Sequence, residues 1–447
     1  MSLFGALDTA ISGLTAQSAG FANISNDVAN SQTVGFKRVE TSFSDYLTTS
    51  SASVNDSGAV VSLPKYMNNV QGTIGQTDDT LGMAISGQGF FPVSVGTSTS
   101  NGVTTMSPTP YYTRAGDFQM NKNGYIVNSA GNFLNGWTVD PTTGVVNQNA
   151  VAPIQINQSV FNPVPTSTVT LAANLPATPS AAATVSSQTS VYDSLGTAHD
   201  VTLNWTQNAG AINTWTLQIV SPNDVNATPT ATATDATGNR VIGSATVVFG
   251  NDGTIQSIGG PVSDYGTVTT PAPTPTNNGA LVNFTTQFTP GVTQAISLNL
   301  GNFGAANGVT QFAGTTYSLR GLSQNGVPPG SFNGVTTTAT GGIVVNYNNG
   351  QSRTIAQVPL VTFNNPNGLQ AQNGQAYSTS ELSGNALASA AGTNGAGNIV
   401  TGSIEQSNVD IATEFTKLIV TQQAYTANTK IVTTANQLLQ VTIEMKA

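Results

Sequence analysis

Few residues of this chain have the types and spacing needed for chemistry. Asp193, Ser194, His199 and Asp200 lie close together, and His199 is the only histidine. A hydrolase built from them would need its serine on a sharp, Gly-flanked strand-to-helix turn. Ser194 instead sits in Tyr192-Asp193-Ser194-Leu195-Gly196, which reads as a polar turn. One histidine cannot form a multi-histidine metal site. With no cysteine there is no disulfide, thiolate site or cysteine nucleophile. The adjacent acids Asp78-Asp79 point to opposite faces of an extended chain, so they make no acid/base pair. Gly87-Gln88-Gly89 lacks the third glycine and following helix of a nucleotide fingerprint, and reads as a tight turn. Lys37-Arg38 is too small a basic cluster for nucleic acid. Twenty acids against eleven bases, with a pI near 4.3, argue the same way. No catalytic, cofactor-binding or metal residue is expected, and no cofactor.

The elements around these residues are more telling. Charged residues make up 7% of the chain, against about 25% in typical soluble domains. The polar surface is Thr, Ser, Asn, Gln and Gly, which suits β-rich extracellular or assembling proteins. A chain of 447 residues exceeds what one core supports, so three or more domains are expected. From Ser407 to the C-terminus, Ile411, Leu418, Tyr425, Val432 and Leu439 recur at intervals of seven, with Phe415 flanking them. Ala424, Ile431, Leu438 and Met445 form a second row. Ser407 is a candidate N-cap with Asp410 three residues on. An uninterrupted helix from Asn408 would be roughly 58 Å long and needs a partner. Residues 3–29 match that need. Leu7, Leu14, Phe21 and Val28 are seven apart, with Ile11 and Ile24 beside them. Gly5, Gly13 and Gly20 weaken this helix by about 1 kcal/mol each, so it should form mainly on packing.

Between the two helices the period changes to two. Residues 32–75 and 376–404 read as linker, extended and Ser/Thr-rich in its first part. Residues 76–154 and 306–375 read as an inner β-domain, with a hairpin turn at Asn123-Gly124. Residues 155–305 read as an outer β-domain inserted into it, with a surface loop at Pro271, Pro273 and Pro275. Residues 1–31 and 405–447 close the chain as a helical domain. The fold class is therefore multidomain α+β: a terminal coiled-coil-like helical pair plus two mainly-β domains. No run of about eighteen apolar residues occurs, so no membrane insertion is expected. The N-terminal segment is amphipathic, unlike a signal peptide.

Several segments resemble the flagellar rod, hook and axial protein family. Ile11 to Leu14, Asn23 to Asn30 and Thr33-Val34-Gly35-Phe36-Lys37 are similar to its N-terminal signature. Ile85 to Phe91 and Tyr112 to Phe118 resemble its first β-domain, and Ser190 to Gly196 a motif of its outer domain. Phe363 to Leu369 resembles its return through the inner domain. Glu405 to Asp410 and Ala424 to Asn428 are similar to the closing signature. Asp27, Ser31 and Gln423 depart from the pattern. The likeness spans nearly the whole chain, and the inserted outer domain favours the hook members over the shorter rod members.

The resemblance implies a non-enzymatic subunit that polymerises with itself into the curved, torque-transmitting tube between rod and filament. It implies a place outside the cell, reached through the flagellar type III export apparatus without a cleaved signal. It also implies distal rod, hook cap and hook–filament junction proteins as partners. A distal-rod or junction protein, or a secreted β-rich adhesin, is the alternative. The subunit interface is expected at Leu7, Ile11, Leu14, Phe21, Ile24, Val28, Ile411, Phe415, Leu418, Tyr425, Ile431, Val432, Leu438 and Leu439. One row, through Leu418 and Tyr425, would meet the N-terminal helix. The other, through Ile431 and Leu438, would meet a neighbour, with Gln422, Asn428 and Asn436 facing a channel.

Overall fold

The computed structural model describes residues 3–50, 55–100, 103–140, 143–178, 184–211, 213–225, 238–263, 266–267 and 278–445. The loop expected at Pro271, Pro273 and Pro275 lies outside them. The fold is mostly β, with one long helix near each end and several sheets. It divides into two compact units. Unit 1 is Met1–Gln158, Asn333–Asn346 and Ser352–Ala447; unit 2 is Ser159–Phe332 and Tyr347–Gln351. Among the described residues no helix is long and apolar enough to cross a membrane.

In unit 1, helix α1 (Leu3–Ala29) runs beside helix α2 (Ile411–Glu444). Where an extended linker is expected, β1 (Val39–Ser50) and β2 (Asn55–Tyr66) form an antiparallel hairpin that packs on α1. Strand pairing then steps away from the helices. Ile74–Gln76 pairs with Ser403–Glu405, and Met83–Ser86 with Asn398–Thr401. A larger sheet follows, in which Asn132–Val139 lies between Phe91–Ser100 and Ser352–Gln357. The expected turn at Asn123-Gly124 joins Gln119–Met120 to Ile126–Val127. Phe90, Tyr112, Val361, Phe363, Leu369 and Tyr377 form an aromatic core with edge-on ring contacts of 4.9–5.8 Å.

Unit 2 holds a four-stranded and a six-stranded sheet. Alternate residues of their strands share one core. Val201, Leu203 and Trp205 come from Ala198–Gln207; Trp215, Leu217 and Ile219 from Thr214–Ser221; Ile296, Leu298 and Leu300 from Val292–Asn302. The period of two in the sequence is the cause, since successive side chains of a strand face opposite ways.

The start of α2 differs from expectation for a local reason. Asn408 cannot enter a helix because both ends of its amide are used. Its Oδ1 accepts from the Arg38 N–H at 2.8 Å, and its Nδ2 donates to the Met67 and Val70 carbonyls. The chain stays extended to Asp410, whose carboxylate accepts from the Thr413 N–H at 3.1 Å and caps the helix in place of Ser407. The 34-residue helix is therefore roughly 51 Å long. An Asp410→Ala variant should lose about 1 kcal/mol of helix stability, read as earlier loss of helical circular dichroism on heating. An unchanged midpoint would contradict the cap.

Candidate assembly surface

The packed face of α1 is made mainly of small residues. The buried face of α1 is Ala10, Gly13, Ala16, Gly20, Ile24 and Asp27. Their spacing of three to four puts them on one stripe. Gly13 lies against the side chain of Asn428, and a Cβ there would sit 3.0 Å from its Nδ2. Gly20 lies against Phe43 and Thr41 of β1. Residues 17–21 share a groove of about 260 Å³ with 421–425, and Ile24 shares the next with Glu414 and Lys417. The two helices are thus antiparallel, and glycine on α1 makes room for polar and small groups of α2. Asn428, expected to face a channel, faces Gly13 instead. The glycines that weaken α1 in isolation are what allow its close approach.

Large apolar side chains are consequently turned outward. On α1, Ile24 is buried, Leu7, Leu14 and Val28 are half-buried, and Ile11 and Phe21 are 46% and 45% exposed. On α2, Leu418, Val432 and Leu439 are half-buried. Ile411, Phe415, Tyr425, Ile431 and Leu438 are 41–52% exposed, and Gln422 and Asn436 are exposed as well. The hairpin adds Tyr46, Val61 and Leu63, which share its face away from Phe43. Monomeric proteins seldom expose this much contiguous apolar area without a partner for it.

A buried ionic cluster fastens the base of the helices, and nothing in residue spacing announces it. Lys37 Nζ lies 2.5 Å from Glu405 Oε1, and Arg114 Nη1 3.0 Å from Glu405 Oε2. Lys37 also donates to the Val70 carbonyl, Arg114 to the Gly87 carbonyl, and the Gly72 N–H to Glu405. Arg114 lies over the Phe90 ring at 5.1 Å. Burial pushes the Lys37 ammonium down to about 8, against the pull of Glu405. Lys37, taken from sequence as half of a small basic cluster, is thus a closing residue of the interior. Lys37, Arg114 and Glu405 each come from a different family-like segment, and here those three segments converge.

Next to this cluster, Asp27 is buried and accepts from the Val39 N–H at 3.1 and 3.2 Å. Burial, then the neighbouring Glu414, raises its carboxyl from 3.8 to about 6, while the Val39 N–H and, less strongly, Lys417 and Arg38 oppose this. Lys417 bridges Glu414 at 2.8 Å and Glu40 at 3.5 Å. Between pH 4 and 6 the folded chain holds a proton that the unfolded chain has lost. Stability therefore falls as pH rises through that window and stays lower above it. Asp27→Asn keeps the acceptor without the charge and should stabilise unit 1 at pH 7 by up to about 3 kcal/mol. Urea unfolding at pH 4.5 and pH 7 checks this, since the gain should shrink at the lower pH.

None of the chemistry-bearing residues belongs to α1, α2 or the hairpin. Asp193 to Gly196 form a turn, and His199 is a buried residue of the strand that follows it in unit 2. Its Nε2 lies 3.1 Å from Asp193 Oδ2, and its ring stacks on Phe288 at 4.0 Å. Asp193, with backbone and histidine hydrogen bonds outweighing desolvation, is held below the ordinary carboxylate range. Asp78 and Asp79 are both exposed. No group of three or more metal-binding side chains occurs among the described residues.

Three family models match the chain. They are the flagellar basal body protein FlaE D2 domain over 162–327, the flagellar hook protein FlgE/F/G D1 domain over 84–172, and the flagellar basal body rod FlgEFG protein C-terminal over 400–445. The flagellar hook protein FlgE of Rhizobium meliloti is 30% identical, with all of both chains covered. The chain belongs to the flagellar hook protein family. Other hook proteins are similar at 29% identity: that of Brucella suis over all of both chains, and that of Salmonella typhimurium over 98% of this chain and 99% of its own. A solved structure, the Helicobacter pylori hook protein FlgE2, aligns with a TM-score of 0.47 at 13% identity, covering 73% of this chain and 98% of that one. The hook-family D1 match contains Arg114, and the C-terminal match contains Glu405.

Proposed function

We propose that this chain is a structural subunit that polymerises into the bacterial flagellar hook, a flexible tubular joint carrying torque from rod to filament. The observation that carries the reading is 30% identity to a hook protein over the full length of both chains. The outward apolar residues of α1 and α2 supply the axial contacts, in the manner of a coiled-coil-like pair that continues into neighbouring copies. Ile11, Phe21, Ile411, Phe415, Tyr425, Ile431 and Leu438 are the exposed members of that interface. Leu7, Leu14, Val28, Leu418, Val432 and Leu439 contribute their remaining exposed edges, and Ile24 supports them from within. Burying each large side chain contributes on the order of 1.5–3 kcal/mol. Unit 2 acts as an outer, inserted domain of low charge whose contacts slide while the helices hold the tube together.

The subunit works outside the cell and leaves through the flagellar type III apparatus without a cleaved signal. Its partners are copies of itself, the distal rod protein, the hook cap and the hook–filament junction protein. The test is electron microscopy of cells lacking the chain, complemented with Ile411→Asp or Leu418→Asp. Both variants should be secreted and form no tube. Normal tubes from both would sink the helix-contact reading.

A further inference from the structure

We propose that unit 2 makes a head-to-tail contact between copies of this chain, in which the Leu195 turn of one copy seats on the Phe312–Leu319 region of the next. This rests on the reading of the chain as a polymerising subunit. An exposed leucine alone means little, but this one is held out by a turn fixed from several sides. Asp193 Oδ1 accepts from the Leu195 N–H at 2.9 Å and from the Thr197 N–H at 2.8 Å, while Oδ2 meets His199. Gly196 has φ +81°, and a Cβ there would collide with Pro329 and Pro163. The turn thus presents Leu195 with 70% of its surface exposed, and Val164, next in sequence to the Pro163 that Gly196 meets, is exposed as well. A backbone turn ordered before binding loses little entropy on docking.

The Leu195 turn joins two strands of the six-stranded sheet, and the complementary feature lies along a strand of the four-stranded sheet beside it. The Tyr192 carbonyl accepts from the Thr166 N–H, which places the Leu195 turn at the beginning of strand Thr168–Asn174. Leu319 pairs with Ala173, and the Phe312 N–H donates to Asn174 Oδ1, so both sit at that strand's end. Phe312 and Leu319 are 44% and 49% exposed, and Leu319 is on Ser318–Gln324, an edge strand of its sheet. Two different apolar patches, separated by the roughly 20 Å length of a seven-residue strand, cannot satisfy each other in one copy. Joined between copies they form a heterologous contact, the type that propagates into an open helical array.

The chain has no cysteine, so crosslinks report only on introduced ones. Tubes formed in cells by a Leu195→Cys, Leu319→Cys double variant should, on oxidation, give a ladder of dimers, trimers and higher species on a non-reducing gel. Each single variant should stay monomeric. Tubes whose double variant gives no ladder would overturn this contact while leaving the hook reading standing, whereas no tubes from the unmodified chain would sink that reading itself. A dimer from Leu195→Cys alone would replace head-to-tail by a symmetric contact and overturn the proposal. As a second readout, Leu195→Glu tubes should dissociate at lower temperature than unmodified tubes; an equal dissociation temperature counts against it.

Discussion

Glu405→Ala should destabilise unit 1 by about 3–5 kcal/mol, the usual consequence of removing one partner from a buried ion group. Lys37 and Arg114 would be left facing each other without a counter-charge, and the Gly72 N–H would lose its acceptor. Repair should need no charge. Replacing Lys37 and Arg114 by Met together with Glu405 by Leu should recover much of the loss, because well-packed apolar side chains often do as well as buried ions. Urea unfolding of the purified chain measures both variants. A loss below about 1 kcal/mol for Glu405→Ala would mean that the cluster is not a closing element of the fold. Because Lys37 and Glu405 stand at the foot of α1 and just before α2, a weakened cluster should also lower tube yield in cells.

Trp205→Ala should be comparably severe in unit 2, at about 3–5 kcal/mol. Trp205 is fully buried among residues of both sheets, and alanine leaves a cavity that the surrounding strands cannot close. The core that contains it is drawn wholly from unit 2. Calorimetry should therefore show one transition moving down while the transition of unit 1 keeps its place. Movement of both together would show that the units unfold as one.

The sequence made some of this legible. Long apolar rows placed a helix near each end, and alternation with Asn-Gly punctuation placed the strands. The face on which the helices meet was harder to read. Periodicity arguments search for bulk, but Gly13 meets Asn428 of α2, and Gly20 meets the hairpin, by being small. Phe21 and Tyr425 line one groove between the helices and stay 45% and 46% exposed. Residues 39–66 hid for a related reason: their Ser and Thr carry no strong pattern, and α1 supplies the surface that makes them a hairpin. Asp410 capped α2 because Asn408 is held by strands far away in sequence, which no local rule can see. The ionic cluster joins residues 37, 114 and 405, so it exists only once the whole fold does. Asp27 stood out in sequence merely as a departure from the family pattern; its buried carboxylate over the Val39 N–H gives that departure a physical meaning.

The bond between Lys37 and Glu405 spans 368 positions of sequence. Closing a loop grows dearer only with the logarithm of its length, so doubling that excursion would add about 0.6 kcal/mol. The fastening at the base is therefore almost indifferent to how much chain lies beyond it. Descendants of this gene, or an engineer, can lengthen or exchange what lies between residues 37 and 405 while the clasp and the helices stay as they are. Variation in this protein has room to run outward, and very little to run inward.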